Sequence, residues 1–128
     1  MPRTRILYVE DNAANLALVR KVLEHASQYE VIGAITGEEG LDAARAHAPA
    51  LILLDLDLPG IDGFELARLL QADPALAAIP RVAISASVMK QERDQAIAVG
   101  CVRFIEKPFD IAELRAVVEQ VLAGRALP

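Results

Sequence analysis

The chain has 128 residues, 54% of them hydrophobic but only 4% aromatic, which excludes disorder and indicates one domain with an aliphatic core. Its net charge is −5 with no basic stripe, so the electrostatic footprint of direct nucleic-acid binding is missing. No apolar run nears the roughly 18 residues of a membrane span, the start lacks a signal peptide's apolar stretch, and the lone Cys101 excludes an internal disulfide and fits a reducing cytoplasm.

Taken in order, Ile6-Leu7-Tyr8-Val9 reads as a first strand running into Glu10 and Asp11. Helical periodicity follows over 12–26, where Asn12 and Asn15 support the first turn; Asp11 alone would read as a helix cap, a reading that gives way beside Glu10 and Asp55. Glu30 to Ile35 supplies a second strand, weakened by Gly33. Thr36 and Glu39, at capping-box spacing, open a helix over 37–48 that stops at Pro49. Leu51 to Leu54 is a third strand ending in Asp55; Gly60 and Gly63 read as turn glycines, and Asp62 with Glu65 opens a helix over 63–72. Val82-Ala83-Ile84 runs into Ser85, and a helix over 89–99 stops at Gly100. Cys101 reads as a small core residue where the fifth strand starts. That strand, Val102 to Glu106, ends at Lys107-Pro108. Asp110 and Glu113 then open a helix over 110–124, with Ile111, Leu114, Val118 and Val121 on one apolar stripe and Gly124 as its stop. His25 and His47 fall at helix ends with no partner at ligand spacing, and the charges along 90–94 and 113–119 read as a solvated face.

Apolar strands alternating with crossover helices predict a parallel sheet covered on both sides. Five of each fit a doubly wound α/β fold with strand order 2-1-3-4-5. That order makes the first and third strands neighbours and gathers Glu10, Asp11, Asp55, Ser85 and Lys107 at the carboxyl edge, where open α/β sheets bind ligands.

Three carboxylates at close quarters repel, so at least one resists ionisation unless a cation intervenes. Magnesium suits such an open oxygen site. Asp55 is then a candidate nucleophile for an aspartyl-phosphate, with Lys107 neutralising phosphoryl charge and Ser85 donating a hydrogen bond to it. Lys107 precedes a proline, so its backbone is biased toward extended geometry and the bond can be cis or trans.

Leu7-Tyr8-Val9-Glu10-Asp11-Asn12 with Asn15, Leu54-Asp55 followed by Leu58-Pro59-Gly60-Ile61-Asp62-Gly63, Ile84-Ser85-Ala86, and Lys107-Pro108-Phe109 together resemble the receiver domain of two-component response regulators. The resemblance runs from Arg5 to Gly124, and receivers are a standing example of the flavodoxin-like 2-1-3-4-5 order. It implies a single-domain (βα)5 regulator of the DivK-like kind, with no output domain and a core over about 5–124. Receiver domains also occur within hybrid kinases, and the sequence leaves both arrangements open, although Met1 and the short tail after Gly124 favour a free-standing protein.

The resemblance further implies that Asp55 is the phosphoacceptor, loaded from the phosphohistidine of a histidine kinase or histidine phosphotransfer protein. Asp11, Glu10 and the backbone carbonyl of Asp57 would hold Mg2+ with it. Ser85 would be the switch hydroxyl and Phe104 the switch aromatic, although core packing alone also accounts for Phe104. Side chains at Asp57 and Ser87 would tune dephosphorylation. The fourth helix, fifth strand and fifth helix would present the readout surface to a protein effector, with a phosphorylation-dependent dimer left open. Ser85 stands where threonine is commoner and Phe104 lacks a tyrosine hydroxyl, so switching is expected to work through packing.

A rival exists, because Asp55-Leu56-Asp57 also resembles the nucleophile motif of haloacid-dehalogenase-type phosphatases. Chain order opposes it: there the nucleophile follows the first strand and the acidic pair comes late. A third reading is a receiver-like binding module that is never phosphorylated.

Overall fold

A computed structural model describes residues 3–25, 28–58, 60–86 and 89–124. The chain alternates strand and helix: β1 (Thr4–Val9), α1 (Ala13–Glu24), β2 (Tyr29–Ala34), α2 (Gly37–His47), β3 (Leu51–Asp55), α3 (Gly63–Ala72), β4 (Arg81–Ser85), α4 (Lys90–Ala98), β5 (Cys101–Glu106) and α5 (Ile111–Leu122). Every strand pairing is parallel and the sheet order is β2-β1-β3-β4-β5, as the apolar runs and crossovers predict.

Side chains alternate across a strand, so each strand feeds two cores. Ile6, Tyr8, Leu51, Leu53, Val82, Ile84 and Ile105 face α1 and α5, meeting Val19, Leu23, Leu114 and Val118. Leu7, Val9, Ile52, Leu54, Ala83 and Cys101 face the other way, toward Ala44, Leu66, Leu70 and Ala96 of α2, α3 and α4. β3 and β4 are buried along their whole length, which accounts for unbroken apolar runs in place of polar alternation.

Caps set the helix starts, with some departures from the sequence reading. Thr36 accepts from the Glu39 amide and Asp62 from the Glu65 amide, but Asp110 accepts from Ala112, one residue earlier than a capping box requires. In α5, Val117 is buried and Ile111, in the first turn, is exposed. Gly60 has φ 74°, as a turn glycine should. Gly63 is not a turn glycine: it is the first residue of α3, and a Cβ there would run into the Asp55 carbonyl oxygen and the Leu56 Cα. It is glycine because α3 starts directly against the exit of β3.

Candidate functional site

Register brings the acids together. Val9 pairs with Leu54, so the next residues, Glu10 and Asp55, leave neighbouring strands side by side. A carboxylate oxygen from each of Glu10, Asp11 and Asp55 lies within 4.8 Å of the others. The Asn12 side chain caps α1 by accepting from the Asn15 amide at 2.9 Å, which leaves Asp11 exposed and outside that cap. His25 and His47 are exposed at the carboxyl ends of α1 and α2, and helix ends of that kind lie at the opposite edge of the sheet.

Asp55 is 1% exposed and both its oxygens are engaged. Oδ1 accepts from the Asp57 amide at 2.9 Å, and Oδ2 accepts from Lys107 Nζ at 2.9 Å. Lys107 Nζ also lies 3.4 Å from Glu10 Oε1. That ammonium reaches the acids because the Lys107 amide extends the sheet by one bond, donating to the Ser85 carbonyl at 2.8 Å. The Lys107–Pro108 peptide is cis.

Glu10 is fully buried, and its Oε1 collects donors from Tyr8 Oη at 3.2 Å and Asn15 Nδ2 at 2.9 Å. Burial and the neighbouring Asp55 carboxylate push its pKa up to about 7, against the pull of Asn15 and Lys107. Burial would raise Asp55 too, but hydrogen bonds from Glu10, the Asp57 amide and Lys107 outweigh it and hold Asp55 below the usual carboxylate range. The same ion pair outweighs burial at Lys107 and holds its ammonium protonated above the ordinary lysine value. The shifts therefore favour the charge on Asp55 and, without metal, a proton on Glu10 below about pH 7.

With both carboxylates ionised, Glu10 Oε2 has no hydrogen-bond partner among the described residues. A proton shared with Asp55 or a cation resolves that cost. Three carboxylates against one ammonium leave an excess of negative charge that a divalent cation balances, and the donors are all hard oxygens. The residues present fit magnesium.

Asp57 extends from β3 toward β4: both carboxylate oxygens lie 3.3 Å from Ser85 Oγ, and Oδ2 accepts from the Ala86 amide at 3.2 Å. Phe104 is half-buried against the α4 side of the sheet, with the Arg93 guanidinium 5.8 Å from its ring centroid. Ser87 lies outside the described residues. Two contributors escape the sequence reading. Tyr8 passes for one more apolar strand residue, although a residue two before Glu10 shares its face and is placed to reach it. The Ala86 amide is main chain and leaves no mark in a side-chain pattern.

The fold has counterparts among known proteins. The polar-differentiation response regulator DivK of Brucella anthropi is 38% identical over 122 residues, covering 95% of this chain and 98% of that protein. A putative response regulator from Chloroflexus aurantiacus superposes with a TM-score of 0.88 at 29% identity, over 96% of this chain and 99% of that one. The receiver domain of a sensor histidine kinase from Pseudomonas aeruginosa, solved with a magnesium ion coordinated in its active site cleft, matches at TM-score 0.86 and 26% identity, over 94% and 98%. With residues 6–119 also matching the family described as "Response regulator receiver domain", this chain belongs to the receiver domains of two-component signalling.

Proposed function

We propose that the chain accepts a phosphoryl group on Asp55 from the phosphohistidine of a histidine kinase or histidine phosphotransfer protein. The observation that carries this reading is the setting of Asp55: buried, flanked by an acidic pair with an unpartnered oxygen, and touched by an ammonium at 2.9 Å that helps hold its pKa low. A carboxylate so placed attacks phosphorus while the donor's N–P bond breaks, its electron pair staying on the imidazole nitrogen. Glu10, Asp11, Asp55 and the Asp57 carbonyl would hold magnesium, which when bound neutralises phosphoryl oxygens. Lys107 supplies a second positive charge, and Ser85 and the Ala86 amide are donors for a phosphoryl oxygen. Beside the site, Asn15, Leu18, Lys107, Pro108 and Phe109 line a cavity of about 260 Å³ where a protein donor can seat.

Output runs through α4, β5 and α5. Only Ala96 of α4 is buried, so that helix is lightly held. Met89, Ile97, Val102 and Ile111 expose apolar surface, and Arg93, Ile97, Val102 and Phe104 are among the residues lining a cavity of about 230 Å³. Phe104 is the aromatic that would move inward as Ser85 engages the phosphoryl group, passing the change to an effector. The buried Cys101, with its thiol pushed up to about 11 by burial, suits a cytoplasmic chain without redox chemistry. No helix among the described residues is long and apolar enough to cross a membrane.

Incubation with magnesium and acetyl phosphate, read by intact mass, tests the assignment. One phosphoryl group should be added by the wild type, none without magnesium and none by Asp55→Asn. Steady phosphate release without an adduct would move the reading to a phosphatase acting through Asp57. Full labelling of Asp55→Asn would end it.

A further inference from the structure

Ser85 Oγ and the Ala86 amide are adjacent donors at the end of β4, and one anion already touches both. The Asp57 carboxylate places Oδ1 and Oδ2 each 3.3 Å from Ser85 Oγ, with Oδ2 also 3.2 Å from the Ala86 nitrogen. Its own amide is bonded to Asp55 Oδ1 at 2.9 Å, so the carboxylate comes from the loop that carries the acceptor. Asp57 is exposed, and water could satisfy it. Reaching across to β4 instead shows that a hydroxyl and an amide are aimed at a common anionic position.

We infer that Asp57 is an internal stand-in for the phosphoryl group, its carboxylate occupying in the resting protein the two donors that a phosphoryl group on Asp55 would claim. The inference rests on the proposed acceptor role of Asp55 and describes how that site is gated. A hydroxyl and an amide offer one proton each, so two anions cannot both take them at full strength. Loading Asp55 therefore requires that Asp57 leave. The arriving group carries about two negative charges, which repel the displaced carboxylate and keep it from returning. The end of β4 is thus held in the resting state by an anion of the kind that phosphorylation would later provide. Asp57 is a positioning residue here, acting through Ser85 and Ala86.

Beryllofluoride, which adds to an aspartate oxygen as a phosphoryl mimic, separates the possibilities when titrated into the magnesium-loaded protein with the Ala86 amide followed by NMR. Asp57→Ala keeps the main-chain carbonyl and should bind the mimic tighter by on the order of tenfold, having no charge-assisted bonds to give up. In a Ser85→Ala background the same substitution should gain only about threefold, because part of the competition is already removed. The Ala86 amide proton should lie downfield in the wild type before the mimic is added, shift upfield in Asp57→Ala, and return downfield once the mimic binds. Binding by the wild type with no gain in Asp57→Ala would overturn the stand-in alone. An undiminished tenfold gain in the Ser85→Ala background would also overturn it, reducing Asp57 to a general repulsive charge. Failure of wild type and variant alike to bind would remove the acceptor role of Asp55 and the stand-in with it.

Discussion

Glu10 and Lys107 both help hold the Asp55 pKa low, and the protonation of Glu10 makes the site sensitive to pH. The ordinary glutamate value is 4.5 and burial beside Asp55 raises it to about 7. Between those values the folded chain binds a proton that the unfolded chain has lost, so this residue makes the metal-free fold less stable as pH rises through that window. Asp55 works the other way, its depressed pKa adding stability above 3.8 that is lost as pH falls below it. Below about 7 a cation must displace the Glu10 proton, so magnesium affinity should weaken as pH drops from 8 to 6. Calorimetric titration in buffers of different ionisation enthalpy should show about one proton released per ion near pH 6 and few at pH 8. In Glu10→Gln that release should vanish. Lys107→Ala should leave magnesium binding at least as tight, since a competing cation is gone from Asp55 and Glu10. Because Lys107 directly follows β5, which carries Phe104, and bonds Asp55, the same variant should lose the beryllofluoride-induced change at Phe104; a wild-type response there would show that the ammonium does not couple the two.

At the scale of elements, the site is a set of strand ends held in register, and α3 shows how tightly. Gly63 lets the first turn of α3 lie on the Asp55–Leu56 main chain, where a methyl has no room. Gly63→Ala should cost about 1–3 kcal/mol through overpacking against backbone, read as a lowered urea midpoint with an unchanged slope. It should also weaken phosphorylation more than its stability cost explains, because Asp55 itself is displaced. Such main-chain contacts lie beyond the reach of a sequence reading, which takes Gly63 for a turn residue. Legible from sequence are the features that follow from periodicity: which apolar runs are strands, which acids end them, and that doubly wound order gathers the ends. Less legible is anything decided by how an element packs or where a side chain turns. Ile111 has the spacing of a core residue but is exposed, while Val117 enters the core. Asp57 is equally compatible, by spacing, with facing water or facing the acceptor. Only the distances to Ser85 and Ala86 show that its exposed carboxylate bridges to β4.

For the whole molecule, the distribution of polar cost matters more than any one contact. Two aliphatic cores hold the sheet from both faces, while the carboxyl edge carries a polar conflict: a buried glutamate against a buried aspartate, with one glutamate oxygen unpartnered when both are ionised. A ligand that resolves such a conflict binds the native state and not the unfolded chain, so it should stabilise the fold as a whole. At a concentration a hundredfold above its dissociation constant, magnesium should add about 2.7 kcal/mol, a rise of several degrees in Tm for a domain of this size. Thermal unfolding with magnesium and then with excess chelator should show the gain and its reversal. Asp11→Ala, exposed and outside the α1 cap, should unfold as wild type without metal yet show little of the magnesium-dependent rise. A full rise in that variant would place the ion away from the Glu10–Asp11–Asp55 cluster. A rise in Asp11→Ala that needs severalfold more magnesium would leave the ion there, with Asp11 as one ligand among several.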